Sequence, residues 1–344
     1  MDRLLVAVRL AVLGIAIWNV NTAPVTDSTV TRFDEIASTA GLPWRDHVVE
    51  FPPLQVAVIE LIGWDGVPIT ASLLAILACG SDLLAARIIG RRWGQASRRA
   101  YLLIGLPLLA FVYLRFDPVS VVLAVGGMAG GGAWLGLAAL ARIWPLVLFP
   151  ALRGRRLWWA LGTLAVGGLA WIALGGFDAV RQVTSFRGAG GWEIGSLGGA
   201  IVWAVTGGPL RLESGAFRVG QVPGWVAPVQ LLALAATLAI IWLKRDEERA
   251  GEPAAAAVAA LLVLSPIISD GYVMWMVPWL AIGSMTKKRL LWQGVIVTTL
   301  TTLTFLLTEH IALFQAATIA RGIVLLSVVV PALRRARTDE AALV

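Results

Sequence analysis

The sequence predicts an all-α polytopic membrane protein, a helical bundle with two larger loops on one side. Three observations carry this reading. Of 344 residues, 58% are apolar and only 14% charged, with a mean hydropathy of +0.80, whereas an average soluble domain is about a quarter charged. Apolar runs of about 20 residues, the length that crosses a bilayer core as a helix, recur along the chain. Between them the basic residues gather in alternate gaps, the pattern that membrane insertion imposes.

Residues 4–20 form the first run. It begins with charge, but Ile17-Trp18-Asn19-Val20-Asn21 is a poor small-residue cleavage site, so it reads as a retained helix. Runs at 67–89 and 101–114 follow. Residues 118–152 are one apolar block cut by Gly130, Gly131, Gly132, Pro145 and Pro150. The block is long for one helix and short for three, so a broken, partly re-entrant arrangement is expected. Runs at 157–175, 227–243, 254–269, 272–284, 290–308 and 311–333 complete the set. The expectation is a single domain over 1–344 with about ten or eleven transmembrane helices.

The basic clusters are Arg91-Arg92 with Arg98-Arg99, Arg153 with Arg155 and Arg156, Lys244-Arg245 with Arg249, Lys287-Lys288-Arg289, and Arg334-Arg335 with Arg337. With the N-terminus in the cytoplasm all of them lie on the cytoplasmic side, together with the tail 334–344, if 118–152 crosses an odd number of times. Both termini are therefore expected on the cytoplasmic side of the membrane. The net charge of +7 then reports topology and contact with membrane lipids, not nucleic acid. One cysteine, Cys79, excludes an intramolecular disulfide and a cysteine-based zinc site, and His47 and His310 form no histidine cluster. Most acidic residues, from Asp27 to Glu309, collect on the opposite, extracytoplasmic side.

Two loops on that side are long, 21–66 and 176–226, and long loops are usually functional. In the first, Phe33, Ile36 and Ala37 recur at helical spacing across 31–40 and predict a short interfacial helix. Gly41-Leu42-Pro43 ends it. Glu50-Phe51-Pro52-Pro53 then leads into 54–62, too short to span, with Pro52 and Pro53 setting the angle of a short helix and Glu50 anchoring the loop. Trp44 and Trp64 suit an aromatic belt. The second loop is glycine-rich and carries Trp192, Trp203 and Trp225. The plain alternative is a hydrated connector.

The order Asp27, Arg32-Phe33, Ile36-Ala37, Gly41, Pro43-Trp44-Arg45-Asp46 and Glu50-Phe51-Pro52-Pro53 resembles the first outer loop of an actinobacterial family. These are integral-membrane glycosyltransferases of the GT-C superfamily, the polyprenyl-phosphate-mannose-dependent mannosyltransferases similar to those of phosphatidylinositol mannoside synthesis. Further likenesses follow in order: Arg115-Phe116-Asp117-Pro118, Arg142-Ile143-Trp144-Pro145, Phe186-Arg187-Gly188 with Trp192 to Leu197, and Leu264-Ser265-Pro266 with Tyr272 and Trp275. Phe33 and Phe51 stand where the family has tyrosine, and Arg142 where it has lysine.

The resemblance implies inverting transfer of a sugar, mannose in that family, from a polyprenyl-phosphate donor to a lipid or glycan acceptor at the outer face of a bacterial plasma membrane. Such a reaction needs a base on the acceptor hydroxyl, to which a carboxylate is suited, and a cation for the leaving phosphate, to which arginine is suited. Asp27 is the first candidate base, from its place just beyond the first run, with Asp34 and Asp46 behind it. Arg187, in a glycine-flexible stretch, and Arg115 are the candidate phosphate ligands, followed by His310 and by Arg321, an intramembrane charge. Tyr272 and Trp275 are candidates for lining the donor groove. A carboxylate-held Mg²⁺ or Mn²⁺ is compatible with this chemistry, though nothing in the sequence demands one. Two other classes fit the composition: a transporter or flippase of a lipid-linked envelope intermediate, and an inactive scaffold of the same family. A transporter predicts ionisable pairs deep in several helices, whereas Asp82, Arg87, Arg142 and Arg321 are few.

Overall fold

The computed structural model describes residues 1–23, 28–63, 66–184, 190–213, 216–243 and 251–334. Its elements are helical almost throughout: α1 (Asp2–Thr22), α2 (Ser28–Ser38), α3 (Pro53–Ile62), α4 (Val67–Trp93), α5 (Gln95–Ile104), α6 (Asp117–Ala129), α7 (Gly132–Ala141) and α8 (Gly154–Thr184). Then come β1 (Trp192–Glu193), α9 (Leu197–Thr206), β2 (Arg211–Glu213), β3 (Ala216–Val219), α10 (Val226–Leu243), α11 (Gly251–Leu264), α12 (Val277–Gly283), α13 (Arg289–Leu306) and α14 (Ile311–Arg334). Among the described residues six helices, α1, α4, α8, α10, α13 and α14, are long and apolar enough to cross a membrane. The protein is an all-α polytopic membrane protein. The remaining apolar runs are shorter helices and 3-10 turns, so the runs 101–114, 118–152 and 272–284 are each broken.

The chain forms two compact units, Met1–Arg92 with Leu109–Ala189, and Trp93–Leu108 with Gly190–Val344. In the first unit the block 118–152 resolves into three short passes. At about 1.5 Å per residue α6 and α7 are roughly 20 and 15 Å long, each short of a bilayer core. They fold back on one another, and a Cβ on Gly127 would stand 2.6 Å from that of Leu135. The return is closed by Arg142, just past α7, whose Nη2 lies 3.7 Å from Asp117 at the start of α6. A 3-10 stretch, Trp144–Ala151, then runs back to α8. At that far end Arg156 Nη2 donates to the carbonyls of Gly127 and Met128 at 3.0 and 2.8 Å, covering acceptors that the last turn of α6 leaves open. Three passes is an odd number, so the basic start of α8 lies at the end opposite Asp117.

The core of this unit sits under the first loop. Val30, Phe33 and Ile36 of α2 are wholly buried with Val56 and Ile59 of α3, Leu74 and Phe116. Sequence spacing gave α2 an interfacial face; that face is in fact covered by protein. Trp44 also differs from expectation. Rather than joining an aromatic belt it is buried, stands at φ 66° and packs on Trp171 with ring centroids 5.9 Å apart. Its indole nitrogen donates to the Phe51 carbonyl at 3.1 Å, so the ring's one polar group is satisfied inside.

In the second unit α11 is the buried element. Ala254 to Ala260 are all fully covered, which a helix achieves only when it is apolar all round. It stops at Ser265-Pro266, and 265–276 continue as irregular backbone and a 3-10 stretch, Asp270–Trp275, before α12. Non-helical backbone is tolerated among apolar helices where protein surrounds it. The second loop is not structureless. β1, β3 and β2 make a small antiparallel sheet, and α9 is capped by Ser196, whose hydroxyl accepts from Gly199 N at 3.0 Å.

Candidate functional sites at the loop ends of two units

The first loop of unit one is built from charge on an apolar floor. Arg32 on α2 binds Glu50 in a forked pair, Nε and Nη2 lying 3.0–3.3 Å from the carboxylate, and also reaches Glu35 at 2.8 Å. The same guanidinium donates to the Val48 carbonyl at 2.8 Å. Glu50 is therefore a brace between α2 and the strand-like segment before Pro52 and Pro53, and Pro53 opens α3 at its first position, where no amide is needed. Phe33 meets Phe51 edge-on at 5.3 Å beneath this pair. Gln182 on α8 ties down the other margin. Its amide accepts from Val49 N and donates to the Trp44 carbonyl, both at 2.9 Å.

The candidate residues separate within this frame. Asp34 accepts from Thr70 at 3.3 Å, and Asp46 accepts from Leu42 N at 2.7 Å, closing the turn that Gly41 opens at φ 106°. Both carboxylates thus have structural partners, and among the described residues neither forms an ion pair with the neighbouring Arg32 or Arg45. Arg115 donates to Thr29 in the first turn of α2. Asp27 and Arg187 lie outside the described residues, Asp27 two positions before Thr29. α1 and the stretch 109–114 line a half-open cavity of about 310 Å³, with Val12, Ile15, Ala16, Leu109, Phe111 and Leu114 among its walls.

Deeper in the same unit is a cluster that sequence reasoning missed. Arg9, wholly buried on α1, donates through Nε to Asp82 on α4 at 2.8 Å, and the Tyr113 hydroxyl donates to the same carboxylate oxygen at 3.1 Å. A single arginine in an apolar run carries no sign of its partner 73 positions away.

Unit two gathers a second set of charges. Arg321 on α14 is 1% exposed and lies 3.4 Å from Asp270. It donates to the Gly195 carbonyl and, at 3.3 Å, to Thr304, which itself donates to Asp270 at 3.2 Å. Arg218 on β3 stands 3.9 Å from Glu193 on β1. Burial pushes the Glu193 carboxyl up to about 8; Arg218 and Arg321 oppose that shift and Asp270 adds to it. Tyr272 and Trp275 stack with centroids 4.1 Å apart on the 3-10 stretch that begins at Asp270. His310 sits in the exposed turn between α13 and α14, its backbone N–H bonded to Leu307. Sequence reading singled out Arg321, Tyr272 and Trp275; Glu193, Arg218, Asp270 and Thr304 come from four elements and share no local motif with it.

Among the described residues no three of His, Cys, Asp and Glu converge as a metal site. What both sites offer is paired carboxylates and arginines where helices meet non-helical backbone, next to apolar side chains. That combination can hold an anionic, hydroxyl-bearing headgroup and shelter its lipid chain. Comparison of the chain with protein-family models gives no match, and comparison with curated proteins gives none.

Proposed function

We propose that the protein is a membrane glycosyltransferase moving a sugar, mannose by the family resemblance, from a polyprenyl-phosphate donor to a lipid or glycan acceptor at the outer face of a plasma membrane. The observation that carries this reading is that residues 28–63, directly after Asp27, form a protein-packed platform rather than a hydrated connector. An ordered platform of carboxylates and arginines on a membrane bundle is what transfer to and from lipid-borne substrates requires.

In this reading Asp27 removes the acceptor hydroxyl proton, the freed oxygen attacks the anomeric carbon with inversion, and polyprenyl phosphate leaves. Asp34 and Asp46 hold structure, as their hydrogen bonds to Thr70 and Leu42 indicate. Arg115, tied to Thr29 two residues from Asp27, and Arg187 meet the leaving phosphate, and the cavity against α1 takes part of the prenyl chain. A transporter of a lipid-linked intermediate is the second reading. The buried pairs Arg9–Asp82 and Arg321–Asp270 favour it, but the first is sealed from solvent at 0% and 1% exposure.

The test is purified protein with labelled polyprenyl-phosphate-mannose and candidate lipid acceptors, with and without EDTA to read any need for Mg²⁺ or Mn²⁺. Wild type transfers sugar, and Asp27→Ala lowers the rate by about a hundredfold or more, as loss of a general base does. No transfer by wild type rejects the enzyme and leaves the flippase and scaffold readings. Full activity in Asp27→Ala rejects the base.

A further inference from the structure

Arg142 is a largely buried cation of unit one whose bonding capacity is little used. Its side chain is 14% exposed, yet its nearest carboxylate oxygen, on Asp117, is 3.7 Å away, beyond hydrogen-bond length. Its Nε is buried with no partner, and its guanidinium carbon lies 5.8 Å above the Phe51 ring. Among the described residues no acceptor is within hydrogen-bond reach of its fork. By contrast Arg32 is fully engaged by Glu50, Glu35 and Val48. A largely buried guanidinium with five donors in a rigid plane is costly to leave so. The helix that packs against α7, α3, also carries a wholly buried orphan: both amide atoms of Gln55 lack a partner.

We infer that Arg142 is an anion-binding residue that accepts a phosphate monoester or diester bidentately at the loop end of unit one, with Phe51 as the floor of the site and Asp117 holding the guanidinium until the anion arrives. Three features place the ligand's charge there. Its Nη donors make no hydrogen bond among the described residues, and the Phe51 ring lies 5.8 Å from the guanidinium carbon, a setting that suits arginine better than lysine. Asp117, at 1% exposure, supplies the countercharge that keeps the unliganded cation tolerable. The backbone around it suits approach of a headgroup. Arg142 follows the last turn of α7 in extended conformation, and the next helical turn begins only at Trp144. Trp144 is itself fixed by donating to Ser120 at 2.8 Å. The identity of the anion as a lipid phosphate rests on the glycosyl-transfer reading; the anion site itself does not.

The experiment is binding to purified full-length protein, followed by tryptophan fluorescence, with farnesyl phosphate, farnesol and inorganic phosphate as probes. Wild type binds farnesyl phosphate about tenfold or more tighter than farnesol, the gain expected of a charge-assisted fork. Inorganic phosphate competing equally well would assign the site to free phosphate rather than a lipid. Arg142→Gln removes the preference, while Arg142→Lys, which keeps the charge but not the fork, retains only part of it. Asp117→Asn frees the guanidinium and tightens farnesyl phosphate binding several-fold, a gain that a merely structural ion pair would not give. If Arg142→Gln folds, with an unchanged melting profile, and still prefers the phosphate, the inference is overturned whatever the transfer assay shows. If Arg142→Gln fails to fold, Arg142→Lys and Asp117→Asn decide: binding equal to wild type in both overturns it. Phosphate preference that depends on Arg142 in a protein that transfers no sugar keeps the anion site and rejects the enzyme.

Discussion

Arg9 and Asp82 show how a charge is tolerated in an apolar bundle. With both side chains at or below 1% exposure, neither can be removed alone without stranding the other. Arg9→Ala and Asp82→Ala are each expected to lower stability by about 3–5 kcal/mol, whereas the Arg9→Leu, Asp82→Leu double variant should lie much nearer to wild type. Chemical unfolding in detergent reads this directly. Equal losses in all three variants would mean that Tyr113 and the Leu5 carbonyl, not the ion pair, set the energy. The pair joins α1 to α4, and apart from Arg9 the helix α1 buries only Leu5 and Val20. It therefore fixes the wall of the apolar cavity.

Helices α2 and α3 were readable as elements because the cues were local: Phe33, Ile36 and Ala37 at helical spacing, Gly41 and Pro43 as a stop, and Pro52-Pro53 as a start. What covers them was not readable. An apolar stripe looks the same whether lipid or protein meets it, and the Trp171 and Gln182 that settle the matter for Trp44 lie over a hundred residues on. Phe33→Ala is expected to cost about 3–5 kcal/mol if α2 is a core element. Hydrogen exchange should then show loss of protection across 28–38 while α4 keeps its own. The hairpin of α6 and α7 has a sharper requirement. A Cβ on Gly132 would stand 2.0 Å from the Arg156 carbonyl, a backbone atom that cannot swing away. Gly132→Ala should lower the melting temperature, while Gly162→Ala, in helix α8 where nothing lies within 4 Å, serves as its control. The sheet of the second loop went unseen for a different reason. Strands of two to four residues hold too few alternations for a period to register.

The whole molecule answers to pH through Glu193. Its carboxyl is raised by burial from an ordinary value of 4.5 to about 8, so the folded protein holds a proton over that interval and the unfolded chain does not. Stability from this group is present below about pH 4.5, declines between there and pH 8, and is level above it. A melting temperature falling by roughly 2–4 °C per pH unit across that window is expected, with the slope flattened in Glu193→Gln. The charges around Glu193 come from β3, α14 and the stretch after α11, so no window of sequence could display the shift. At the same scale, unit two is discontinuous in the chain: it takes in Trp93–Leu108 from the first half. Ile104 of that segment packs on Gly294, and Thr302 donates to the Pro107 carbonyl at 2.7 Å. A fragment of 190–344 alone should therefore fold poorly, and co-expression with 1–189 should restore a protease-resistant species.

Gln182 has a consequence for biogenesis. It locks Val49 and Trp44 across 133 and 138 positions of chain, so during synthesis the first loop leaves the ribosome long before its clamp does. Until α8 is translated and inserted, that loop must wait unclosed outside the bilayer. Its ripening is timed by the synthesis of α8 almost to its end, and a pause in translation before Gln182 would expose it to proteases for as long as the pause lasts.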